Sequence, residues 1–296
     1  ISDNFAFADG LSHSQHTYLF ALDKNGDLRH KMKSAVRLAV GWLETRTPDE
    51  LLAYPSIIEI GHAIIAEAFS TRVITPSITT TDDIVWWMRE KMAEMGLEAW
   101  FQPTVEIQAQ GLSFNPINIK DATRKVILPG DLLHCDIGFY YLGLASDQQQ
   151  HAYVLKAGET DAPQGLKDAL AEGNRLQDIL IHNIRAGRTG NDILADALSH
   201  AKAEGITPSV YSHPIGYHGH AAGPTIGLWD NQVRVIGTGD YEVHDNTAYS
   251  IELNIIKPVP EWGGQEVRIM LEEDAVLQNG AVRWLHGRQT ALHLIG

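Results

Sequence analysis

Cysteine is almost missing from this chain: Cys135 stands alone among 296 residues. It can neither close an internal disulfide nor supply a CxxC zinc site. Positive charge is also scarce. Lys and Arg number 23 against 37 Asp and Glu, a net charge of −14 at pH 7 with His neutral. A nucleic-acid groove or an anionic membrane surface calls for clustered Lys and Arg, so neither is expected as a partner. No unbroken apolar run reaches the roughly 18 residues of a membrane span. The chain starts at Ile1 and not Met, which points to sequence cleaved or trimmed upstream, and no signal peptide is recognised in what remains. The compartment is close to unreadable, with the cytoplasm favoured. There is no Walker loop, no G-x-S-x-G elbow and no H-E-x-x-H.

What is present suits one large globular domain or two small ones. Residues 1–48 are weakly periodic, with a turn signal at Lys24-Asn25-Gly26-Asp27. They read as an N-terminal extension or the tail of a smaller domain, and 49–296 as the main domain. Asp49 to Phe69 carries apolar residues at helical spacing, although Pro55 is expected to split or delay the helix. Thr81 to Met95 is a stronger helix, capped by Thr81 or Asp82 and ended by Gly96. Its Trp86-Trp87 pair reads as a core residue beside a half-exposed one. Further helices are expected over Leu166 to Ile184, interrupted at Gly173, and over Asp192 to Ala203. Strand-like runs are Lys125 to Leu128, Leu132 to Tyr141, Ala152 to Leu155, Val243 to Ile256, Val267 to Leu277 and Ala281 to Leu285. Gly237-Thr-Gly239-Asp240 reads as a hairpin turn. Asp83-Ile84 lies 13 residues before Gly96, and Asp192-Ile193 lies 13 before Gly205. Two duplicated helix-plus-sheet halves would give this echo; so would the habit of three-turn helices to end in Gly.

The sharpest chemical signal is acidic. Asp136 and Asp147 stand 11 residues apart on apolar runs, joined by the glycine-bearing stretch Gly138 to Gly143. A hairpin there would bring both carboxylates to one point. A buried carboxylate needs a partner, a hydrogen bond or a metal, so the alternatives are a metal site, or a turn cap at Asp147 with an Arg partner for Asp136. Glu252 and Glu273 likewise sit in strand-like apolar runs, where Glu is disfavoured. Between the pairs lies a loop with three histidines in eight positions, His213, His218 and His220. Two Asp, two Glu and one His form an oxygen-rich donor set suited to two divalent ions such as Mn, Co, Fe or Zn. Cys135, next to Asp136 in a strand, should face the other way and be inert.

The ordered set Asp, Asp, His, Glu, Glu resembles the M24 metallopeptidases. That superfamily includes methionine aminopeptidase, Xaa-Pro aminopeptidase, prolidase and creatinase. The likeness rests on Gly130-Asp131-x4-Asp136-x-Gly138, Ser146-Asp147, Ile215-Gly216 through His218-Gly219, Ser250-Ile251-Glu252, Val267-Arg268-Ile269 before Glu273-Asp274, and Ile74-Thr75-Pro76 with Thr79-Thr80. It implies the α+β pita-bread fold, a curved antiparallel sheet with outer helices and a pseudo-two-fold repeat. It implies two divalent ions held by Asp136, Asp147, His218, Glu252 and Glu273, with His220 a competing ligand. His218 is preferred because Gly219 directly follows it and frees the backbone to turn.

The resemblance further implies a dinuclear hydrolase of Xaa-Pro aminopeptidase or dipeptidase type, attacking through a metal-bridging hydroxide. Glu252 would ligate a metal and shuttle the proton, and His213 or His220 would steady the tetrahedral intermediate. Its partners would be a peptide or small-molecule substrate and a second copy of the chain. Two family histidines are missing: Asn118 falls in the stretch where the first is expected, and Asn231 replaces the second. The usual Arg after the second Asp is also missing from Gln148-Gln-Gln-His151. These departures keep open a non-peptidase enzyme on the same fold, such as a creatinase-like hydrolase or a lyase acting on a small zwitterion. A vestigial binding protein is a third reading.

Overall fold

A computed structural model of the chain describes residues 4–8, 10–112 and 124–296. Three short helices come first: α1 (His13–Leu22), α2 (Asp27–Lys31) and α3 (Val36–Glu44). Two halves of matching order follow. In the first, α4 (Pro48–Ala68) and α5 (Thr81–Glu94) precede a short β1 (Glu98–Ala99), then β2 (Thr104–Gln108), β3 (Leu132–Tyr141) and β4 (Leu144–Val154). In the second, α6 (Gln164–Asn183) and α7 (Gly190–Ala203) precede β5 (Pro208–Val210), β6 (His213–Pro214), β7 (Ala248–Ser250), β8 (Leu253–Val259) and β9 (Gln265–Leu271). The chain closes with β10 (Asp274–Gln278), β11 (Ala281–Trp284) and β12 (His293–Ile295).

The echo seen in the sequence is structural. Thr80 caps α5 by accepting from the Asp83 amide, and Thr189 caps α7 by accepting from the Asp192 amide. Each helix ends just before a glycine of positive φ, Gly96 and Gly205. In each half the helices cover a three-strand antiparallel unit, β2-β3-β4 in one and β5-β8-β9 in the other. Two apolar cores result. α4 and α5 pack on Cys135, Ile137 and Phe139 of β3, whereas α6 and α7 pack on Leu253, Ile255, Ile269 and Leu271 of β8 and β9. This is the expected α+β architecture, an antiparallel sheet with outer helices and an internal repeat; only β12, parallel to β4, departs from antiparallel order among the described strand pairs.

Several local expectations are corrected. Pro55 neither splits nor delays α4, which runs through it. Tyr54, Ile57, Ile58, Ile64 and Ile65 of that helix are fully buried. At roughly 1.5–3 kcal/mol each, their burial outweighs the ~3 kcal/mol cost of an interior proline. α4 is also the one described helix long and apolar enough to cross a membrane, but here its apolar side lies on the sheet. Gly173 does not interrupt α6; a Cβ there would stand 2.9 Å from Leu271, as one at Gly61 of α4 would stand 1.7 Å from Gln148. In both halves a glycine therefore lets the first helix approach the sheet. Lys125 to Leu128 makes only a bridge between Val126 and Thr80. β4 is much longer than expected, because Gln148, Gln149 and Gln150 are strand residues with hydrogen-bonded side chains. Gly237 to Asp240 forms a short 3-10 turn and not a hairpin. Trp86 is exposed, and Trp87 is half-buried and packs against the first core without being enclosed by it.

The segment before α4 packs on the second half of the chain. Phe5, Ala8 and Val40 form a cluster with Ala222, and Thr45 bridges Thr247. The buried Glu44 accepts from the Thr247 hydroxyl (2.7 Å) and the His244 amide (3.3 Å). Burial pushes the Glu44 carboxyl up to about 8, against those donors and the charge of Arg46. The unfolded chain would release this proton near 4.5. Folded protein therefore holds an extra proton between about 4.5 and 8, and its stability falls as pH rises through that window. Glu44→Gln should flatten this slope in thermal melts across the same pH range; an unchanged slope would assign the effect to another group.

Candidate metal centre

The centre is built on the β3–β4 hairpin. Leu142 and Gly143 both have positive φ, 53° and 76°, and Tyr141 pairs with Leu144 across them, as in a two-residue primed turn. The register pairs His134 with His151, Asp136 with Gln149 and Gly138 with Asp147. Directly opposed residues share a face, so Asp136, Asp147, Gln149, His134 and His151 line one side. Cys135, Gln148 and Gln150 line the other. Cys135 is fully buried, and burial pushes its thiol well up, so it is inert as expected.

Glu252 and Glu272 arrive from strand breaks. β7 pairs with β10, and β8 with β9; residues 251–252 and 272–273 are where the chain passes from one ladder to the other. The β8–β9 ladder pairs Leu253 with Leu271, so the next residues outward, Glu252 and Glu272, face each other. Gln149 ties them together, its amide lying 3.0 Å from Glu252 Oε1 and 2.5 Å from Glu272 Oε2. His213 enters from β6, with Nε2 at 3.7 Å from Asp147 Oδ2 and 3.6 Å from Glu272 Oε1. Donor atoms of Asp147, His213 and Glu272 lie within 4.8 Å of one another.

Four carboxyl groups thus share one pocket, Asp147 and Glu272 buried and Asp136 and Glu252 half-buried. Burial first, and the charge of Glu272 next, hold Asp136, Asp147 and Glu252 well above the ordinary carboxylate range. Glu272 is held below that range: burial works against it, but His213, Ser250 and Gln149 outweigh burial. Asp136 Oδ1, Asp147 Oδ1 and His213 Nε2 are buried with no hydrogen-bond partner. His213 Nδ1 lies 3.1 Å from the Pro214 carbonyl, which orients Nε2 toward the acids. Such a set cannot ionise together without cations, and oxygen donors with one imidazole suit divalent ions. The donor chemistry fits the metals that the sequence implies.

The placement differs from the sequence expectation at two positions. The His218 ring rests on Phe7, with centroids 4.3 Å apart, and it is His213 that stands among the acids. Glu273 points to the helix side, to His62, Gln150 and the Gln289 amide, and Glu272 takes the place expected for it. Asp136, Asp147 and Glu252 are brought together as expected. His220 lies at the edge, 4.5 Å from the His213 ring and 5.3 Å from Trp100 between centroids, with Nε2 3.4 Å from the Tyr211 hydroxyl. Although one side is open, burial of its ring, and then the charge of His213, push His220 down to about 4. Asn231 is tied into its own turn, donating to the Arg234 carbonyl (2.8 Å). Asn118 lies outside the described residues. Sequence reading missed Glu272, Gln149, Trp100 and Tyr211. The signal available for Glu272 was its adjacency to Glu273, which strand alternation sends to opposite sides.

The profile of metallopeptidase family M24 matches residues 56–283. The chain belongs to that family. It is accordingly a metallopeptidase-type hydrolase. No curated protein sequence matches it significantly. Among solved structures, the X-Pro aminopeptidase of Thermotoga maritima superposes with a TM-score of 0.69 at 19% identity, covering 96% of this chain and 73% of its own. The Pyrococcus furiosus prolidase gives 0.64 at 17%, covering 95% and 74%. Escherichia coli aminopeptidase P, solved with the inhibitor Pro-Leu, gives 0.63 at 15%, covering 95% and 66%. At these identities the likeness shows the fold.

Divalent metal should stabilise this M24 protein, because an ion bound only by the folded state shifts unfolding by mass action. Added Mn(II) or Co(II) should raise the melting temperature of wild type and of His218→Ala, but not of His213→Ala. Glu273→Ala should keep the metal response that Glu272→Ala loses. The reverse pattern in scanning calorimetry would return the ligand roles to His218 and Glu273.

Proposed function

We propose that this protein hydrolyses peptide bonds next to proline, as an aminopeptidase or dipeptidase, at two divalent ions held by Asp136, Asp147, His213, Glu252 and Glu272. The observation that carries this reading is the group Asp147, His213 and Glu272, with donor atoms within 4.8 Å of one another and His213 Nε2 without a hydrogen-bond partner, beside the carboxyls of Asp136 and Glu252. The named activities of the structural neighbours, X-Pro aminopeptidase and prolidase, support the substrate class. Divalent ions in that cluster supply an acidified water and a Lewis acid for the scissile carbonyl.

The chain's own groups do the rest. Glu252, held beside the cluster by the Gln149 amide (3.0 Å), would as a carboxylate take a proton from the attacking water and pass it to the leaving nitrogen. His220 is neutral above about pH 4, so it can donate a hydrogen bond to the oxyanion as the carbonyl becomes tetrahedral. The Tyr211 hydroxyl beside it fixes its ring. Trp100 lies flat on Gly219, where a Cβ would meet its ring at 2.4 Å, and is held by a hydrogen bond to the Ser146 carbonyl (3.0 Å). It forms an apolar wall at the rim suited to a pyrrolidine ring.

Asn231 favours a second reading. Its side chain is occupied by its own turn, so the residue in place of the second family histidine is not available to substrate. A creatinase-like hydrolase or a lyase acting on a small zwitterion would lack the same requirement. The two readings separate on a substrate panel run with Mn(II)-, Co(II)- and Zn(II)-loaded protein. Release of the first residue from Xaa-Pro dipeptides or longer Xaa-Pro peptides is expected. His220→Gln should lower kcat by about 10²–10³, the size typical of an oxyanion donor, with metal content unchanged. Turnover of creatine-like zwitterions with intact Xaa-Pro peptides would reject the peptidase reading.

A further inference from the structure

On the helix side of β4, away from the carboxylate cluster, lies a second group of imidazoles. His62 of α4, His286 after β11 and His293 of β12 line a cavity of about 320 Å³ with Gln150 and Gln289. His62 Nδ1 and His286 Nδ1 are 2.8 Å apart. Behind His62, Nε2 stands 2.5 Å from Glu273 Oε2. Glu273 is fully buried, and its other oxygen accepts from Gln150 Nε2 (2.8 Å) and the Gln289 amide (2.9 Å). A carboxylate surrounded by donors accepts from His62 as well, so His62 carries its proton on Nε2 and turns a bare Nδ1 toward His286. Behind His286, Nε2 faces Glu59 Oε1 at 4.0 Å. His62 therefore has a hydrogen-bonded carboxylate at its far nitrogen, and His286 an exposed carboxylate nearby beyond hydrogen-bond distance, while the near nitrogens converge. A carboxylate in that position is what orients a metal-ligating histidine and raises its basicity.

We propose that the Nδ1 atoms of His62 and His286 bind a divalent transition ion of the Zn(II), Ni(II) or Cu(II) class, at a site separate from the Asp136 centre. Imidazole donors select these ions over Mg(II) and Mn(II). Zn–N bonds of about 2.0–2.1 Å at a tetrahedral angle place two nitrogens roughly 3.3 Å apart. The pair therefore opens by about half an ångström, which His286, in a loop with 37% of its side chain exposed, can supply. The proton on His286 Nδ1 moves to Nε2, toward Glu59, so both imidazoles stay neutral and none is released. Water in the cavity completes the coordination. His293 is engaged by Gln150 (2.8 Å) and is not counted as a ligand. Arg288, which borders the cavity, is neutralised by Asp178 (2.7 Å) and stacked on Trp284.

The test is equilibrium dialysis of the full chain against buffered Zn(II), with metal counted per chain by elemental analysis. His62→Ala and His286→Asn should each bind one Zn(II) fewer than wild type at equal free metal, with Mn(II) binding and hydrolytic activity unchanged. Asp147→Asn should lose ions and activity but keep the Zn(II) that His286→Asn removes, which separates this site from the proposed catalytic one. His286→Asn alters a half-exposed loop residue and serves as the decisive variant should His62→Ala fail to fold. A Zn(II) count in His286→Asn equal to that of wild type overturns the proposal.

Discussion

Mutual repulsion among buried carboxylates is the constraint around which this fold is arranged. Asp136 and Asp147 come from one hairpin and Glu252 and Glu272 from two strand breaks, and none would stay in one pocket ionised and alone. Gln149 bridges the two glutamates, and His213 faces the acids with a nitrogen that no protein group satisfies. Every element nearby serves to hold these charges in register. Gly61 brings α4 down onto β4, the Tyr54 hydroxyl reaches the Ala145 carbonyl (2.7 Å), and the Asp147 amide donates to Asp274 (3.1 Å).

The duplicated architecture gives that constraint a simple solution. Each half supplies a helix pair and a three-strand unit, and the acids lie where the two units meet. Helix-side faces are filled by separate apolar cores, leaving the facing sides free to be polar. The isolated bridge between Gln149 and Glu272 joins the two halves at the centre of the site.

Much of this was legible in the residues. Asp136 and Asp147 stood out because buried acids on apolar strands need a reason, and the Asp-Ile pairs standing 13 residues before a glycine marked the repeat. Other features were not. Gln148 to Gln150 did not read as a strand, since only tertiary hydrogen bonds make a run of glutamines acceptable inside a sheet. His213 and His218 could not be ordered from the loop sequence, because contact with Phe7, far away in the chain, fixes where His218 goes. Glu272 and Glu273 differ by one position, and alternation restarts at the β9–β10 break, so hydrophobic pattern alone could not say which faces inward.

That break has a consequence for how such a chain can vary. Glu272, Glu273 and Asp274 are consecutive and fully buried, and each meets a different environment: the His213 pocket, the His62 cluster and the Asp147 amide. A single inserted or deleted residue at this point would hand each acid its neighbour's surroundings while leaving composition almost unchanged. The exposed turn around Trp229 and Val233 carries no such reading frame. Length variation among descendants of this chain belongs in that turn, and the three-acid run should remain fixed in length even where its flanking strands diverge.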